Sequence, residues 1–380
     1  MPIEEKTFEK PLELDQMFVN MGPQHPSTHG VLRIALHMEG EVITKAEPDV
    51  GYLHRGIEKL FENRTYTQGL VLTDRLDYLS SMHNNLAYCI AVEKLMGIEV
   101  PARAQYIRAL VSELNRIASH LIFFGTYGVD IGAFTPFLHA FREREMIMDL
   151  FEMLCGARLL YTYMRIGGVA KNLPEDWTAK CREFTGFFPK RLKEYDALLS
   201  FNPIFMDRTA NIGIISKEEA LDWGLSGPVL RATGVNYDVR KFEPYSFYDK
   251  LEFEIPLGQT GSTWDRYYCR MREMAQSAGI IDQCLEALSK QDMPPDIIAK
   301  GVPKILKPLK GQAYGHIEAS RGDLGFYAVS EGEFSPYRMH IKAPTFINTA
   351  ILQKILVGAK IADVVAILGS FDIVLGEMDR

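Results

Sequence analysis

Between residues 17 and 50 apolar and polar positions alternate in two short runs. Val31-Leu32-Arg33-Ile34-Ala35-Leu36-His37 and Glu41-Val42-Ile43-Thr44-Lys45-Ala46 flank Glu39-Gly40. A period of two on both sides of a glycine predicts a β-hairpin. From about Gly56 to Leu199 the period becomes helical. Leu76, Leu79, Leu86, Ile90 and Leu95 mark one helix, and Ile107, Leu110, Leu114, Ile117 and Leu121 mark a second, opened by Pro101. A third is expected from Pro136 to a stop at Gly167-Gly168, and a fourth from near Pro174 with a kink at Pro189. Four amphipathic helices in succession form the body of a bundle.

Residues 200–260 carry mixed signals, with short strands or turns around Asn211–Ile215 and Leu251–Ile255. A long helix is predicted from about Thr263 to Leu288, with Ser262 and Asp265 placed as a capping box. Beyond Pro308, Gly315-His316-Ile317-Glu318-Ala319 and Gly325-Phe326-Tyr327-Ala328-Val329 read as a second hairpin, turning through Ser320-Arg321-Gly322-Asp323, and Tyr337–Ile341 adds a strand. A final helical pair between Thr345 and Leu368 leads into the C-terminal segment. The expected division is a β-rich part over residues 1–55 and a mainly helical domain over 56–380, with a β insertion near 310–342. No internal repeat, low-complexity segment or phosphate-binding glycine loop occurs.

Composition adds exclusions. With 47% hydrophobic residues in 380, there is apolar material for a large core. A net charge of −7 with scattered basic residues gives no nucleic-acid footprint. Cys89, Cys155, Cys181, Cys269 and Cys284 are too widely spaced for a Cys-x-x-Cys site and read as reduced thiols of a cytosolic protein. The opening Met1-Pro2-Ile3-Glu4-Glu5-Lys6 lacks an export signal. Two apolar stretches, Leu121–Phe141 and Ile351–Leu375, are interrupted by Asp130, Lys354, Lys360, Asp363 and Asp372, charges that are costly at mid-bilayer. Both read as buried segments, so that a protein working at a membrane would lie on it.

Several residues could carry chemistry. In Gly22-Pro23-Gln24-His25-Pro26-Ser27-Thr28-His29-Gly30, two histidines four apart would make half a zinc site on a helix, but the prolines and Gly30 argue for a turn between strands. Three readings stand for that loop: metal half-site, hydrogen-bonding turn, or ligand-facing loop whose imidazole gives a hydrogen bond or proton near neutral pH. Tyr78 follows a helix start expected at Thr73 and Asp74, facing either core or ligand. Asp130 breaks the apolar run Ile122–Val129 and needs a partner or a helix terminus to cap.

Two segments in fixed order carry a resemblance. Arg75-Leu76-Asp77-Tyr78-Leu79-Ser80 and the terminal Asp372-Ile373-Val374-Leu375-Gly376-Glu377 are similar to the Arg-x-Cys-x-x-Cys and Asp-Pro-Cys-x-x-Cys segments of nickel-iron hydrogenase large subunits, with Asp77, Ser80, Val374 and Glu377 at the four thiolate positions. Together with Gly51-Tyr52-Leu53-His54-Arg55-Gly56-Ile57-Glu58-Lys59, Gly156-Ala157-Arg158, Arg165-Ile166-Gly167-Gly168, Gly258-Gln259-Thr260-Gly261 and Glu377-Met378-Asp379-Arg380, they identify the chain as resembling the 49-kDa (D-type) subunit of respiratory complex I. Without thiolates a soft nickel-iron centre has no ligands.

The resemblance implies an α+β, hydrogenase-large-subunit-like fold and the quinone-binding role in a proton-pumping NADH:quinone oxidoreductase. Tyr78 and His29 would hold the quinone headgroup, with Asp130 pairing His29 and these three supplying protons. His25 would support the loop, Val374 would line the cavity, and Arg55 and Arg75 would approach a four-iron cluster held by the neighbouring small subunit. The expected partners are the small iron-sulfur (B-type) subunit, the 30-kDa (C-type) subunit and the membrane (H-type) subunit, with NAD bound elsewhere in the complex and no metal in this chain. The expected location is the cytoplasmic side of a bacterial inner membrane, attached peripherally. Alternatives are a metal-containing membrane-bound hydrogenase, a ferredoxin- or deazaflavin-fed relative, and a non-catalytic assembly scaffold. One departure matters: where many family members place a histidine two residues after Gly-Ala-Arg, this chain has Leu160. A cluster not coupled to that proton would have a lower potential, which favours menaquinone over ubiquinone.

Overall fold

The computed structural model describes residues 16–380. Strands β1 (Gln16–Met21), β4 (Arg33–Glu39) and β5 (Val42–Asp49) form an antiparallel sheet in the order β1-β4-β5. The hairpin pairs Glu39 with Val42 as the alternation predicts, with a bulge between His37 and Met38. Between β1 and β4 the chain folds out into two short paired strands, β2 (Gln24–His25) and β3 (Gly30–Val31), joined by the 3-10 turn Pro26–Thr28.

Helices α1 (Ile57–Glu62), α2 (Tyr66–Thr73), α3 (Ser81–Met96), α4 (Ala102–Asp130) and α5 (Thr135–Cys155) follow. Here the helical reading needs two corrections. Leu76 and Leu79 precede α3 and lie in the turn after α2, so their apolar spacing reflects burial of a turn rather than a helical face. The third helix stops at Gly156, whose N–H bonds the Glu152 carbonyl at 2.8 Å, while Gly167-Gly168 belongs to the small ribbon of β6 (Met164–Arg165) and β7 (Gly168–Val169). Helix α6 (Trp177–Tyr195) carries Pro189 internally and runs into a π-helical turn at Asp196–Ser200.

Residues 200–260 contain short helices, α7 (Pro203–Thr209), α8 (Lys217–Asp222), α9 (Gly227–Arg231) and α10 (Val239–Phe242), and no strand. Helix α11 (Thr263–Leu288) starts at the predicted capping box: Ser262 Oγ accepts the Asp265 N–H at 3.2 Å, and the Asp265 carboxylate accepts the Ser262 N–H at 3.4 Å. Strands β8 (Gly311–Ala319), β9 (Gly322–Ser330) and β10 (Arg338–Lys342) form the second sheet, in the order β10-β9-β8. Helices α12 (Pro344–Thr349), α13 (Leu352–Ile355), α14 (Ile361–Gly369) and α15 (Leu375–Asp379) complete the chain.

The main core brings Leu86 of α3, Leu110, Leu114 and Ile117 of α4, Phe151 of α5, Phe184 of α6, Ile281 of α11 and Phe326 of β9 together. Each such side chain, removed from water, contributes about 1.5–3 kcal/mol. A second core joins the first sheet to the C-terminal helices through Leu32, Ile34, Ile43, Leu356, Val364 and Leu375. Backbone bonds from Ile43 N–H to the Ala359 carbonyl (3.0 Å) and from Gly358 N–H to the Ile43 carbonyl (2.8 Å) fix that contact. The β-rich N-terminal part and the C-terminal segment are thus bound to each other. No helix among the described residues is long and apolar enough to cross a membrane.

Candidate functional site

The loop between β2 and β3 is built by its own side chains. His25 Nδ1 accepts the Ser27 N–H at 3.2 Å, and the buried Thr28 hydroxyl bridges the carbonyls of His25 and Gly30 at 2.8 and 2.7 Å. His25 therefore braces the turn that presents His29, which sits in the left-handed region at φ 53°. His29 Nε2 lies 2.6 Å from Asp130 Oδ2, at the last residue of α4. The metal half-site reading needed both histidines on one face of a helix, and they lie instead at the two ends of a turn between β2 and β3. Among the described residues the Asp130 carboxylate bonds only His29 and caps no helix end. Burial alone would lower the His29 pKa, but the hydrogen bond and charge of Asp130, helped by Asp372, outweigh it and raise the pKa above the ordinary 6.5. With Nε2 committed to Asp130, Nδ1 remains for another partner.

Tyr78 is not on a helix. Thr73 ends α2, Asp74 is its C-terminal cap, and Tyr78 lies in the turn before α3, with 40% of its surface exposed. Its hydroxyl makes no hydrogen bond to a described residue. Burial, with the Asp77 charge added, pushes its pKa above the ordinary 10.

The two thiolate-position segments meet. A Cβ on Gly376 would lie 2.6 Å from the Leu76 carbonyl, and one on Gly30 would lie 2.7 Å from the Leu375 side chain, so the histidine loop, the Tyr78 turn and the C-terminus share one region. Asp77, 1% exposed, accepts the N–H groups of Leu79 and Ser80, both at 3.1 Å, and takes the Arg321 guanidinium at 2.6 Å. Ser80 Oγ pairs with His83 Nδ1 at 2.6 Å and Ser320 Oγ at 2.8 Å. Glu377 is fully buried, bonded through Oε2 by the N–H and hydroxyl of Thr345, and Val374 is 2% exposed. A carboxylate held by a guanidinium, a serine hydroxyl, an apolar side chain and a second carboxyl group do not fit a soft nickel-iron centre. No group of three or more His, Cys, Asp or Glu arranged to hold a metal occurs among the described residues.

Sequence reasoning missed Arg321 and Asp372. Arg321, in the β8-β9 turn, is buried and binds Asp77, the Ser119 hydroxyl (3.1 Å), and both the carbonyl (2.9 Å) and carboxylate (3.2 Å) of Asp372. It is the hub between the Tyr78 turn and the C-terminus. The available signal was charge: two acidic residues at former ligand positions required a cation. Arg55 donates to the Arg75 carbonyl at 2.6 Å and the Gly376 carbonyl at 2.5 Å, clamping the same two segments. Arg75 donates to the Val71 carbonyl at 2.8 Å, with its side chain 44% exposed. The terminal Asp379 is held by the N–H groups of Gly51 (2.9 Å) and Leu53 (2.7 Å), which explains why Gly51–Lys59 and the C-terminus occur together.

The family of the respiratory-chain NADH dehydrogenase 49 kDa subunit matches residues 130–304 and 296–380. The chain belongs to this family. Nickel-dependent hydrogenases match residues 55–130, the part that holds Asp77 and Ser80. The D subunit of the NADH-quinone oxidoreductase of Desulforamulus reducens is 54% identical over 97% of this chain and 99% of its own length. The proteins of that name from Bacillus anthracis and Bacillus cereus are 50% identical over 97% of this chain and all of their own. As a 49-kDa-type subunit, the chain is part of an oxidoreductase related to hydrogenases in fold.

Within that family frame the arrangement offers two polar groups in one region, the Tyr78 hydroxyl and His29 Nδ1, that are unpaired among the described residues, the imidazole being backed by the Asp130 carboxylate. Phenol and imidazole so placed can donate hydrogen bonds to the two ends of a small dicarbonyl and give it protons.

Proposed function

We propose that the chain binds and reduces the headgroup of a quinone in a NADH:quinone oxidoreductase, with Tyr78 and His29 as hydrogen-bond donors and Asp130 as the partner that keeps His29 protonated. The observation that carries this reading is the 2.6 Å His29–Asp130 pair in the same region as a tyrosine whose hydroxyl has no partner among the described residues. Electrons would arrive one at a time from an iron-sulfur cluster on the neighbouring small subunit. As the quinone gains electrons its oxygens become basic, and the imidazolium of His29 and the phenol of Tyr78 each give up a proton. Asp130 then stabilises the charged imidazole between turnovers. Arg75, exposed on the same turn, and Arg55, which fixes that turn to the C-terminus, would face the cluster side. Val374 would form apolar wall behind the ring. Peripheral attachment to a membrane subunit fits a lipid-soluble substrate, and menaquinone is favoured by the missing histidine at Leu160.

The test is Tyr78→Phe in the assembled complex. The hydroxyl supports no hydrogen bond among the described residues, so assembly and reduction of the upstream clusters should be unchanged. Loss of a positioned acid should lower quinone turnover by about 100-fold or more. Normal turnover with a natural-length quinone would rule out Tyr78 as headgroup ligand.

A further inference from the structure

At the position where a hydrogenase holds its metal, this chain buries charge instead. Three carboxyl groups, Asp77, Asp372 and Glu377, meet two guanidinium groups. Arg321 binds Asp77 and Asp372 directly, and Arg270 lies 4.0 Å from Asp372. Among the described residues Glu377 has no guanidinium within salt-bridge distance. Its Oε2 is held by Thr345 of α12, while Oε1, in a fully buried side chain, has no hydrogen-bond partner among the described residues. A buried carboxylate with neither counter-charge nor full hydrogen bonding is costly enough that the group takes up a proton.

We propose that Glu377 holds a proton in reserve for the quinone site and returns it to Tyr78 after each reduction. This rests on the quinone-site reading of Tyr78. When Tyr78 gives its O–H proton to a quinone oxygen that has received electrons from the neighbouring subunit's cluster, a phenolate remains. The Glu377 O–H bond breaks, the Tyr78 O–H bond re-forms, and Glu377 is left as a carboxylate near Arg321. A proton from solvent restores the acid.

The surroundings support the direction of transfer. Burial first, and then the like charge of Asp77, push Glu377 up to about 7, with Thr345 and Arg321 opposing. Asp77 also acts on Tyr78, its neighbour in sequence, and Tyr78 lies above 10, so a proton moves downhill from Glu377 to the phenolate. The charged and titratable groups facing Glu377 are Asp77 from the α2-α3 turn and Arg321 from the β8-β9 turn, while Arg55 holds the carbonyl of adjacent Gly376. Asp77 keeps the negative charge of the pair because it has the guanidinium and two N–H donors. Glu377 acts through Tyr78 and is a positioning residue in this scheme.

The experiment compares native, Glu377→Gln and Glu377→Asp forms of the assembled complex in quinone turnover, and follows the carboxylic acid C=O band by infrared difference spectroscopy from about pH 6 to 8. Glutamine can keep the Thr345 bonds, so upstream cluster reduction should persist. Turnover should fall roughly tenfold or more in Glu377→Gln and recover in part in Glu377→Asp. The native complex should show an acid band that fades as pH rises through about 7 and is missing in Glu377→Gln. Wild-type turnover in Glu377→Gln overturns the proposal, as does the absence of a fading band in the native complex whatever the variant does. If Glu377→Gln does not assemble, the native band alone decides. Tyr78→Phe separates the two levels: full turnover there sinks the quinone-site reading, whereas an impaired Tyr78→Phe beside an unimpaired Glu377→Gln sinks only the reserve.

Discussion

His29→Ala and Asp130→Asn, made singly and together, examine whether the pair acts as one unit. The groups are 2.6 Å apart, with side chains only 24% and 10% exposed, so solvent screens them weakly. A hydrogen bond between charged partners in such a setting contributes about 1.5–3 kcal/mol. At 1.4 kcal/mol per tenfold, that is a coupling of roughly 10- to 150-fold in rate. Either single change removes the whole coupling, so the double variant should turn over quinone no more slowly than the worse single one. Turnover of the four assembled complexes, each normalised to its reducible upstream clusters, gives the coupling directly. Its pH dependence has a definite sign. Because the His29 pKa is raised, the charged pair is fully formed below about 6.5 and is lost as pH rises through the higher folded value, so the coupling should be larger near pH 6.5 than near pH 8.5. Additive losses, within about 0.5 kcal/mol at both pH values, would show that His29 and Asp130 work separately.

Arg321→Met should cost about 3–5 kcal/mol, because it strands the buried carboxylate of Asp77 and takes from Asp372 the nearer of its two guanidinium partners. In that variant Asp77, already raised by burial, loses the charge that holds it down, so the deficit, read by thermal or denaturant melting, should be smallest near pH 5 and grow as pH rises; equal deficits across pH would contradict the hub assignment. Leu160 cannot bind a proton, so the potential of the neighbouring terminal cluster should change by much less than about 59 mV per pH unit, the fully coupled one-electron, one-proton value. Redox titration by electron paramagnetic resonance at several pH values measures this, and Leu160→His should steepen the slope.

Where interactions are local, the sequence by itself determined the result. Alternation around Glu39-Gly40 set the β4-β5 hairpin, Ser262 and Asp265 set the start of α11 because both capping bonds close within three residues, and the apolar runs around Ser320-Arg321-Gly322-Asp323 set β8 and β9. Motif order likewise placed the chain in its family. Local pattern failed where burial imitated a helical period. Leu76 is fully buried in a turn, and that took Tyr78 off the expected helix. Only the tertiary structure decided how buried charge is distributed. His29 and Asp130 are 101 residues apart, and Asp77 and Arg321 are 244 apart. Spacing along the chain carries no information about such pairs, because a charge leaving water is stabilised by whatever group the folded backbone brings within reach. Arg321 reaches Asp77 and Asp372 but leaves Glu377 without a salt-bridge partner, and that division of two guanidinium groups among three carboxyl groups exists only once α15 packs against the Tyr78 turn.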